Sequence, residues 1–326
     1  MEFIRGAYKL RSHHQGGVAT IGNCDGVHLG HQAIIQQLLE KASDLSLPSV
    51  VILFEPQPRE YFTEGEMFAG VTLGATPARL TTVREKVELL TTLGVDRILC
   101  LKFNKAMCSL TATQFCQKVL VDGLAVKHLV VGDDFHFGND RCGDFAFLQK
   151  TGQDNGFAVE STCTYEVNGE RVSSTRIRAA LKGGEFELVE SLLGRHYSIS
   201  GRVVHGDQIG RTIGVPTANV LLQRTVSPLE GVFAVEVIIA GTADAAIDAT
   251  IEVVSGVANV GTRPTIAGTQ MRLEVHLLDF NNTIYGRRVI VTFRQKIRSE
   301  EKFEGLDALK AQIDKDIDTA KIFFMQ

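Results

Sequence analysis

Apolar residues follow two different patterns along this chain, and the change falls near residue 190. Between residues 18 and 190, short runs of consecutive apolar residues alternate with longer stretches in which apolar residues recur at helical spacing. VATIGN, for example, is followed by HQAIIQQLLEKASDL, in which Ile34, Leu38 and Ala42 recur at that spacing. Continuous apolar strands separated by helices predict a parallel sheet that is covered on both faces.

Beyond about residue 195 the chain reads as a series of strands. The runs YSISGRVVHG, GVFAVEVIIAG, MRLEVHLLDF and RRVIVTFRQKI follow one another without helices between them, which predicts an antiparallel barrel or sandwich. GLDALKAQIDKDIDTAKIFF predicts a closing helix, and residues 240–256 predict an extended hairpin or loose loop. The 326 residues suit two domains. We predict a Rossmann-like parallel-sheet domain over 1–186, then a small antiparallel β-barrel domain with a C-terminal helix over 187–326.

Composition and charge exclude several classes of protein. The formal net charge of −4 leaves no basic field for holding a nucleic-acid backbone. The six cysteines form no CxxC pair, which argues against a zinc site or a disulfide framework. No stretch approaches the roughly 20 apolar residues of a membrane span, and the N-terminus MEFIRGAYKLRSHH lacks a signal-peptide core. We therefore expect a cytoplasmic protein without nucleic-acid or membrane partners.

Two histidines stand where a predicted strand passes into a predicted helix, in the stretch GNCDGVHLGH. Unpaired backbone N–H groups and the helix dipole at such a junction favour phosphate, and Gly26 and Gly30 let the backbone approach a ligand. His28 and His31 are therefore interpreted as phosphate-binding groups that stabilise charge during transfer. Two other interpretations remain open, namely surface histidines beside a loop and a metal pair completed by Asp25.

Two further stretches place polar groups at the same predicted edge of the sheet. VVGDDFHFG (130–138) ends a second strand, and VSSTRIRAAL (172–181) surrounds another helix start with hydroxyls and arginines. Hydroxyls cap helices, and arginine can donate two parallel hydrogen bonds to phosphate oxygens. Three such edges in one sheet favour a nucleotide site. The chain contains no GxxxxGK[ST] motif, so we predict no P-loop.

GVPTANV, residues 214–220, is a candidate nucleotide element in the second half. The hydroxyl of Thr217 and the amide of Asn219 are neutral oxygen ligands that suit Mg²⁺ carried on ATP phosphates. The alternative interpretation is a turn that Pro216 begins and Asn219 caps.

The ordered motifs of the chain resemble one known family. GNCDGVHLGH, FEPQPREYF, VVGDDFHFG, SSTRIR, GVPTANV, GVANVGTRPT, LEVHLLDF and KIRSEEKF stand in the order found in the bacterial bifunctional riboflavin kinase/FMN adenylyltransferases. The resemblance covers essentially the whole chain. It implies a nucleotidyltransferase domain that transfers AMP from ATP to FMN, and a flavokinase barrel that phosphorylates riboflavin.

In the first domain the resemblance implies roles for particular residues. It implies that His28 and His31 act on the ATP phosphates. It implies further contacts with ATP or its phosphates for a group within the same motifs, namely Gly22, Asn23, Gly30, Gly132, Ser174, Thr175 and Arg178. Asp134 falls where the family lines its flavin and nucleotide pocket. Cys24 departs from the phenylalanine that is usual in the family, which bears on local packing rather than on activity.

In the second domain the resemblance implies that Gly214, Thr217 and Asn219 hold ATP with its Mg²⁺. It also implies that Glu274 takes the proton from the ribityl 5′-hydroxyl of riboflavin, although strand alternation equally permits this side chain to face solvent. The segment that lies near the flavin in this family is matched here by Arg298, Lys302 and Phe303. The implied partners are riboflavin, FMN and ATP, with FMN and FAD as products and no obligate protein partner.

Two other functions stay open at this stage. The chain could be a nucleotidyltransferase for another phosphorylated substrate, with a barrel that has lost kinase activity. It could also be a flavin-binding or regulatory module without catalysis. The joint presence of Thr217, Asn219 and Glu274 counts against the first of these.

Overall fold

The structure is a computed structural model, and it describes residues 1–325 except 63–66, 69–70, 73–74, 140–141, 207–213, 225, 241–251 and 266–267. The chain forms two compact units. The first contains residues 1–77 and 83–174, and the second contains residues 78–82 and 175–326. Most of the hairpin or loop predicted at 240–256 lies outside the described residues.

The first unit is built on a six-stranded parallel sheet with two small hairpins. Its strands are β1 (Glu2–Arg5), β2 (Val18–Ile21), β3 (Ser49–Glu55), β4 (Met67–Phe68), β5 (Val71–Thr72), β6 (Arg97–Lys102), β7 (His128–Gly132), β8 (Ala158–Thr162), β9 (Glu166–Val167) and β10 (Glu170–Arg171). The sheet has the spatial order β1-β6-β3-β2-β7-β8, while β4 pairs with β5 and β9 with β10. The predicted parallel sheet is confirmed.

Helices cover both faces of this sheet. They are α1 (Leu29–Leu45), α2 (Pro58–Tyr61), α3 (Val83–Thr92), α4 (Lys105–Cys108), α5 (Ala112–Phe115), which continues as a π-helical turn over Cys116–Val121, and α6 (Phe145–Asn155), with 3₁₀ turns at Ala7–Lys9 and Ser12–His14. Val50 and Ile52 of β3 pack in one core cluster with α5 and α6, and Val51 and Leu53 pack in another with α1 and α3. A strand buried on both faces needs apolar residues at every position, which explains the run VVIL. On α1 the buried face includes Ile35 and not the predicted Ile34.

In the part of the chain that the structure describes, the second unit is a closed antiparallel barrel accompanied by helices, the first of which begins at Ser174 of the first unit. Its strands are β11 (Ser198–Val204), β12 (Ala218–Val220), β13 (Gly231–Ile239), β14 (Glu252–Thr265), β15 (Gly268–Leu277) and β16 (Arg288–Arg298), and its helices are α7 (Ser174–Gly183), α8 (Phe186–Leu193) and α9 (Leu306–Met325). The barrel closes in the order β11-β12-β15-β14-β13-β16. Phe233 and Phe293 meet edge to face inside it, with ring centroids 5.3 Å apart. The predicted barrel and closing helix are confirmed.

The compact units divide between residues 174 and 175, and the domain boundary at 186/187 stays a prediction. Phe186 of α8 lies edge to face with Phe233, and residues 78–82 also run with the barrel. Within the second unit, the hydroxyl of Tyr197 donates a 3.0 Å hydrogen bond to the carbonyl of Leu80, and the buried Arg224 donates a 2.8 Å hydrogen bond to that hydroxyl. A carbonyl in a segment distant in sequence thus accepts a hydrogen bond from a buried side chain of the barrel. Among the described residues, no helix is long and apolar enough to cross a membrane.

A buried ion pair joins β16 to α9. Arg298 donates from Nε and Nη2 to the carboxylate of Asp316 at 2.8–3.0 Å, and Gln312 donates to the same carboxylate at 2.9 Å. The side chain of Asp316 is 4% exposed and that of Arg298 16% exposed. Both oxygens of the carboxylate are therefore occupied by partners inside the second unit.

We expect the substitution Asp316→Asn to destabilise the second unit by about 3 to 5 kcal/mol, because it leaves the Arg298 guanidinium buried without its counter-charge. Hydrogen exchange of peptides from β16 and α9, measured across a urea series, gives the free energy of unfolding of this unit separately. The exposed neighbour Asp314→Asn serves as the control and is expected to change it by less than about 0.5 kcal/mol. Equal stability of the two variants would show that the pair contributes nothing.

Candidate active sites

The loop GNCDGVH turns sharply between β2 and α1 and ends on His28, which caps the helix. Cys24 and Val27, as well as Gly26, have positive φ angles of 45°, 43° and 88°. A β-branched residue in this region is strained, so packing around the loop must hold the conformation. Nδ1 of His28 accepts a 3.3 Å hydrogen bond from the backbone N–H of His31. The predicted helix start beside the two histidines is confirmed.

The two imidazoles of this loop stack on each other. The ring centroids of His28 and His31 are 3.6 Å apart and the rings are inclined by 20°. Because Nδ1 of His28 accepts a hydrogen bond, the proton of the neutral ring lies on Nε2. At Gly30 a Cβ atom would stand 3.2 Å from that Nδ1 and 3.5 Å from the carbonyl oxygen of Val172, so the turn favours glycine.

Burial holds the pKa of His31 well below its ordinary value, and the neighbouring His28 and Lys86 lower it further. Nδ1 of His31 is buried and has no hydrogen-bond partner among the described residues. Lys86 is 1% exposed and Asp25 3% exposed, so two charged side chains are enclosed with the histidine loop. Lys86 precedes Leu90 by one turn of α3, on the face that packs toward Cys24. Sequence reasoning missed this lysine, although its place on an apolar helical face was visible.

The ends of β2 and β7 border an aromatic cavity of about 370 Å³. Gly22 and Asn23 follow β2, and Asp134 follows Gly132, the last residue of β7. The cavity also has aromatic walls, formed by Phe54, Phe103, Phe115, Phe135 and Phe137. Aromatic walls with few polar groups suit a flat conjugated ligand. The structure thus brings the predicted residues Gly22, Asn23 and Asp134 to one cavity.

An arginine that sequence reasoning missed lies against this region. Arg171 of β10 donates a 2.6 Å hydrogen bond to the Asp134 carboxylate, and Thr164 donates one of 2.7 Å to Asp133. The signal was available, since Arg171 stands three residues before Ser174 in RVSSTRIR. A guanidinium here offers donors to an anionic ligand.

The SSTRIR stretch is divided between the two units. Ser174 donates a 2.9 Å hydrogen bond from its hydroxyl to the backbone carbonyl of Asp25, which joins it to the histidine loop. Thr175 and Arg178 belong to the second unit, where Arg178 donates to the carbonyl of Ala78. The predicted phosphate-binding residues of this stretch are Ser174, Thr175 and Arg178. Of these, the structure places Ser174 in contact with the histidine loop.

One group of three potential metal ligands converges among the described residues, and it lies away from the histidine loop. It consists of Glu2, His13 and His14. Nδ1 of His14 accepts from the N–H of Arg11 at 2.9 Å, so Nε2 carries the proton and donates it to Glu2 at 2.9 Å. That hydrogen bond lowers the pKa of Glu2. Because Nε2 of His14 is engaged as a donor to Glu2, this cluster is a hydrogen-bonded network around that carboxylate.

In the barrel, the PTAN turn and the candidate base lie on neighbouring strands. Asn219 of β12 is the direct cross-strand partner of Glu274 in β15. Thr217 lines a cavity of about 260 Å³. His276 holds the turn, since its Nδ1 lies 2.8 Å from the carbonyl oxygen of Pro216 and must donate to it. Sequence reasoning missed His276, whose partner is 60 residues away.

Glu274 projects from the outer face of the barrel. Its neighbours Leu273 and Val275 are buried in the interior, and its own side chain is 35% exposed. Nη1 of Arg272 lies 3.7 Å from Oε1 of Glu274. The Glu274 carboxylate is thus half-buried beside Asn219. This differs from the alternative prediction, in which the side chain simply faces solvent.

Two remaining predicted residues have different surroundings. Gly214 has a positive φ of 83°, which favours glycine, and apart from its chain neighbours no atom of the described residues lies within 4 Å of the position that a Cβ would take. The guanidinium of Arg298 is engaged by Asp316, which gives this residue a structural role. Its contact with a flavin stays a prediction.

Comparison with known proteins matches both halves of the chain. Residues 10–176 match the family described as FAD synthetase, and residues 193–324 match the family described as riboflavin kinase. The bifunctional riboflavin kinase/FMN adenylyltransferase of Pseudomonas fluorescens is 50% identical over 322 residues, covering 98% of this chain and 97% of that protein. A protein of the same description from Escherichia coli K12 is 50% identical over 325 residues, covering 99% and 98%.

A solved structure described as a macrolide-efflux protein from Streptococcus pneumoniae is similar in backbone. Its TM-score is 0.78 with 29% sequence identity, and the match covers 98% of this chain and 99% of that chain. We take from this likeness the fold and not the described activity.

All six cysteines lie in the described part of the chain and none is in a disulfide. Burial raises the pKa of the Cys24 thiol to about 11, against the opposing field of Lys86. We therefore expect Cys24 to resist iodoacetamide at pH 8 in the native protein, while the exposed Cys142 and Cys163 react. Mass spectrometry of tryptic peptides measures the labelling, and Cys24→Ala is expected to retain its activity within a few-fold. Rapid labelling of Cys24 would contradict a purely packing role.

Proposed function

The chain belongs to the bifunctional riboflavin kinase/FMN adenylyltransferase family, and we propose that its two units divide the two activities between them. The barrel unit transfers the terminal phosphate of ATP to riboflavin, which yields FMN and ADP. The parallel-sheet unit transfers AMP from a second ATP to FMN, which yields FAD and pyrophosphate. The matched ranges 10–176 and 193–324 support adenylyl transfer within residues 1–186 and the kinase within residues 187–326.

The stacked histidine pair at the start of α1 is the observation that carries the adenylyl transfer proposal. In this reaction a phosphate oxygen of FMN attacks the α-phosphorus of ATP, and pyrophosphate leaves. We assign His28 and His31 to hydrogen bonding of the phosphate oxygens as negative charge moves toward the leaving group. The cap leaves Nε2 of His28 as a fixed donor, and the N-terminus of the helix favours the same anion.

Binding of the flavin is assigned to the aromatic cavity beside Asn23 and Asp134. The isoalloxazine ring is flat, conjugated and poorly hydrated, and five phenylalanines line this cavity. Gly22, Gly30 and Gly132 are assigned to backbone contacts with ATP and its phosphates, as the resemblance implies. Ser174 is assigned to the pyrophosphate end of ATP, while the same role for Thr175 and Arg178 stays a prediction from the resemblance.

The kinase site is assigned to the outer face of the barrel at β12 and β15. Glu274 orients the ribityl 5′-hydroxyl and takes its proton as the oxygen attacks the γ-phosphorus. Its register opposite Asn219 supports this role, because a half-buried carboxylate then lies beside the proposed nucleotide element. Gly214 is assigned to the ATP phosphates.

Both activities imply ATP with a divalent cation, and we propose Mg²⁺. Thr217, which lines the cavity described above, offers a hydroxyl, and Asn219 offers an amide oxygen. Both are hard, neutral oxygen ligands and therefore fit such an ion. A bound cation would neutralise charge on the phosphates while these side chains orient it. The six cysteines outside disulfides and the need for ATP support a cytoplasmic location. Riboflavin, FMN and ATP are the proposed partners.

We expect His28→Ala to lower FAD formation from added FMN by about 10² to 10³, because one preorganised donor to the transition state is lost. FMN formation from riboflavin is expected to stay within two-fold of the unaltered chain. Chromatography of flavin products in the two assays measures both rates. The exposed His13→Ala is the matched control and is expected to change neither. Equal loss of both activities in a folded His28→Ala variant would remove the histidine from this role.

We expect Glu274→Gln to lower kcat for FMN formation by at least about 10², because the amide keeps the shape but cannot take the proton. FAD formation from added FMN is expected to be unchanged. Glu236→Gln, a carboxylate on another barrel strand, serves as the control in the same product assay. Full kinase activity in Glu274→Gln would exclude this side chain as the base.

A further inference from the structure

A second carboxylate lies on the same face of the barrel as Glu274. Asn219, Glu274 and Asn259 are direct partners across the neighbouring strands β12, β15 and β14, so their side chains form a row on the outer face. Glu300, in the segment after β16, forms a side-chain hydrogen bond with Asn259. Because a carboxylate only accepts, the amide nitrogen of Asn259 faces it. Glu300 therefore ends the row that contains the proposed base.

The backbone of β14 provides a seat for this carboxylate. Gly261 follows Asn259 by two residues and lies on the same face of the strand. A Cβ atom at Gly261 would stand 1.8 Å from Oε1 of Glu300. Gly261 has no positive φ, so its backbone conformation alone does not require glycine. The missing side chain instead makes the space that the carboxylate occupies.

The amide of Asn259 is retained at a cost. Its Oδ1 is buried and has no hydrogen-bond partner among the described residues, a condition that typically costs about 1 to 3 kcal/mol. An apolar residue of similar size would avoid this cost. The gain that offsets it is the hydrogen bond to Glu300, so Asn259 is a positioning residue for that carboxylate.

Glu300 itself remains open to solvent and short of donors. The residue is exposed, and burial of part of its carboxylate raises its pKa, while the bond from Asn259 opposes that shift. The remaining carboxylate lone pairs can accept hydrogen bonds from a ligand. Hydroxyl groups are the complementary donors, and a polyol chain that reaches Glu274 with its terminal hydroxyl must carry its other hydroxyls nearby.

We propose that Glu300 binds the ribityl hydroxyls of riboflavin and thereby sets the 5′-hydroxyl at Glu274, with Asn259 and Gly261 holding Glu300 in place. This inference rests on the proposed kinase function of the barrel. It assigns Glu300 to recognition of the polyol chain, a role separate from proton removal. A purely structural Glu300, which only holds the segment after β16 against the barrel, would make the same contacts. The test must therefore measure recognition of riboflavin.

The first test compares Glu300→Gln with its exposed neighbour Glu301→Gln in the full chain. For Glu300→Gln we expect the KM for riboflavin to rise about 10-fold to 100-fold, as for loss of a hydrogen bond to a charged group. The kcat for FMN formation, the KM for ATP and FAD formation from added FMN are each expected to stay within about three-fold. Glu301→Gln is expected to leave all of these values unchanged.

The second test displaces the carboxylate without altering it. Gly261→Ala pushes away only the flexible end of Glu300, and it is expected to raise the KM for riboflavin as Glu300→Gln does. Gly305→Ala is the matched control, because a Cβ atom there meets nothing within 4 Å. Thermal unfolding of each variant shows whether the barrel is intact.

A substrate analogue distinguishes recognition of the ribityl chain from a purely structural role of Glu300. With 4′-deoxyriboflavin the unaltered chain is expected to lose about 10-fold in kcat/KM relative to riboflavin, and Glu300→Gln is expected to lose less than two-fold. The proposal would be overturned if the unaltered chain and Glu300→Gln discriminated equally between riboflavin and 4′-deoxyriboflavin. It would also be overturned if Glu300→Gln and Gly261→Ala left the KM for riboflavin unchanged. Should Glu300→Gln fail to fold, Gly261→Ala and the analogue decide the question. An unaltered chain that makes no FMN would instead disprove the kinase function itself.

Discussion

The hydrogen bond from the His31 backbone N–H to the His28 imidazole orders the loop on which the proposed adenylyl transfer depends. It begins α1, and because Nδ1 accepts, it also fixes which nitrogen of His28 carries the proton. Stacking at 3.6 Å then prevents either ring from turning independently. The strained backbone at Val27 persists because the core encloses it. The groups that we propose to bind phosphate are thus held in place by the cap of a helix.

Register performs the corresponding task in the barrel. Side chains of a strand alternate between faces, so a slip of one residue would turn Glu274 inward and expose Leu273 and Val275. The packed interior therefore fixes the register, and the register sets Glu274 between Asn219 and Asn259. In both units the apolar core positions the polar groups, through a helix start in one and through strand pairing in the other.

Sequence pattern was sufficient wherever a feature depends on neighbours in the chain. The buried strand β3, the closing helix α9 and the helix start beside His28 all follow from local periodicity and residue type. Features that depend on distant residues were missed. Nothing local assigns residues 78–82 to the barrel, where Leu80 accepts the hydrogen bond of Tyr197. Arg298 likewise could not be recognised as the partner of Asp316 before α9 was in place.

Burial of charge alone does not identify a functional residue in this chain. The Asp316 carboxylate is as enclosed as any catalytic group, yet Arg298 and Gln312 occupy both of its oxygens. His31 retains a buried nitrogen without a partner among the described residues, and the exposed Glu300 retains lone pairs that face solvent. A substrate can supply a partner only where the protein has left one unfilled, so we place the proposed binding roles at His31 and Glu300 and not at the filled Asp316 carboxylate.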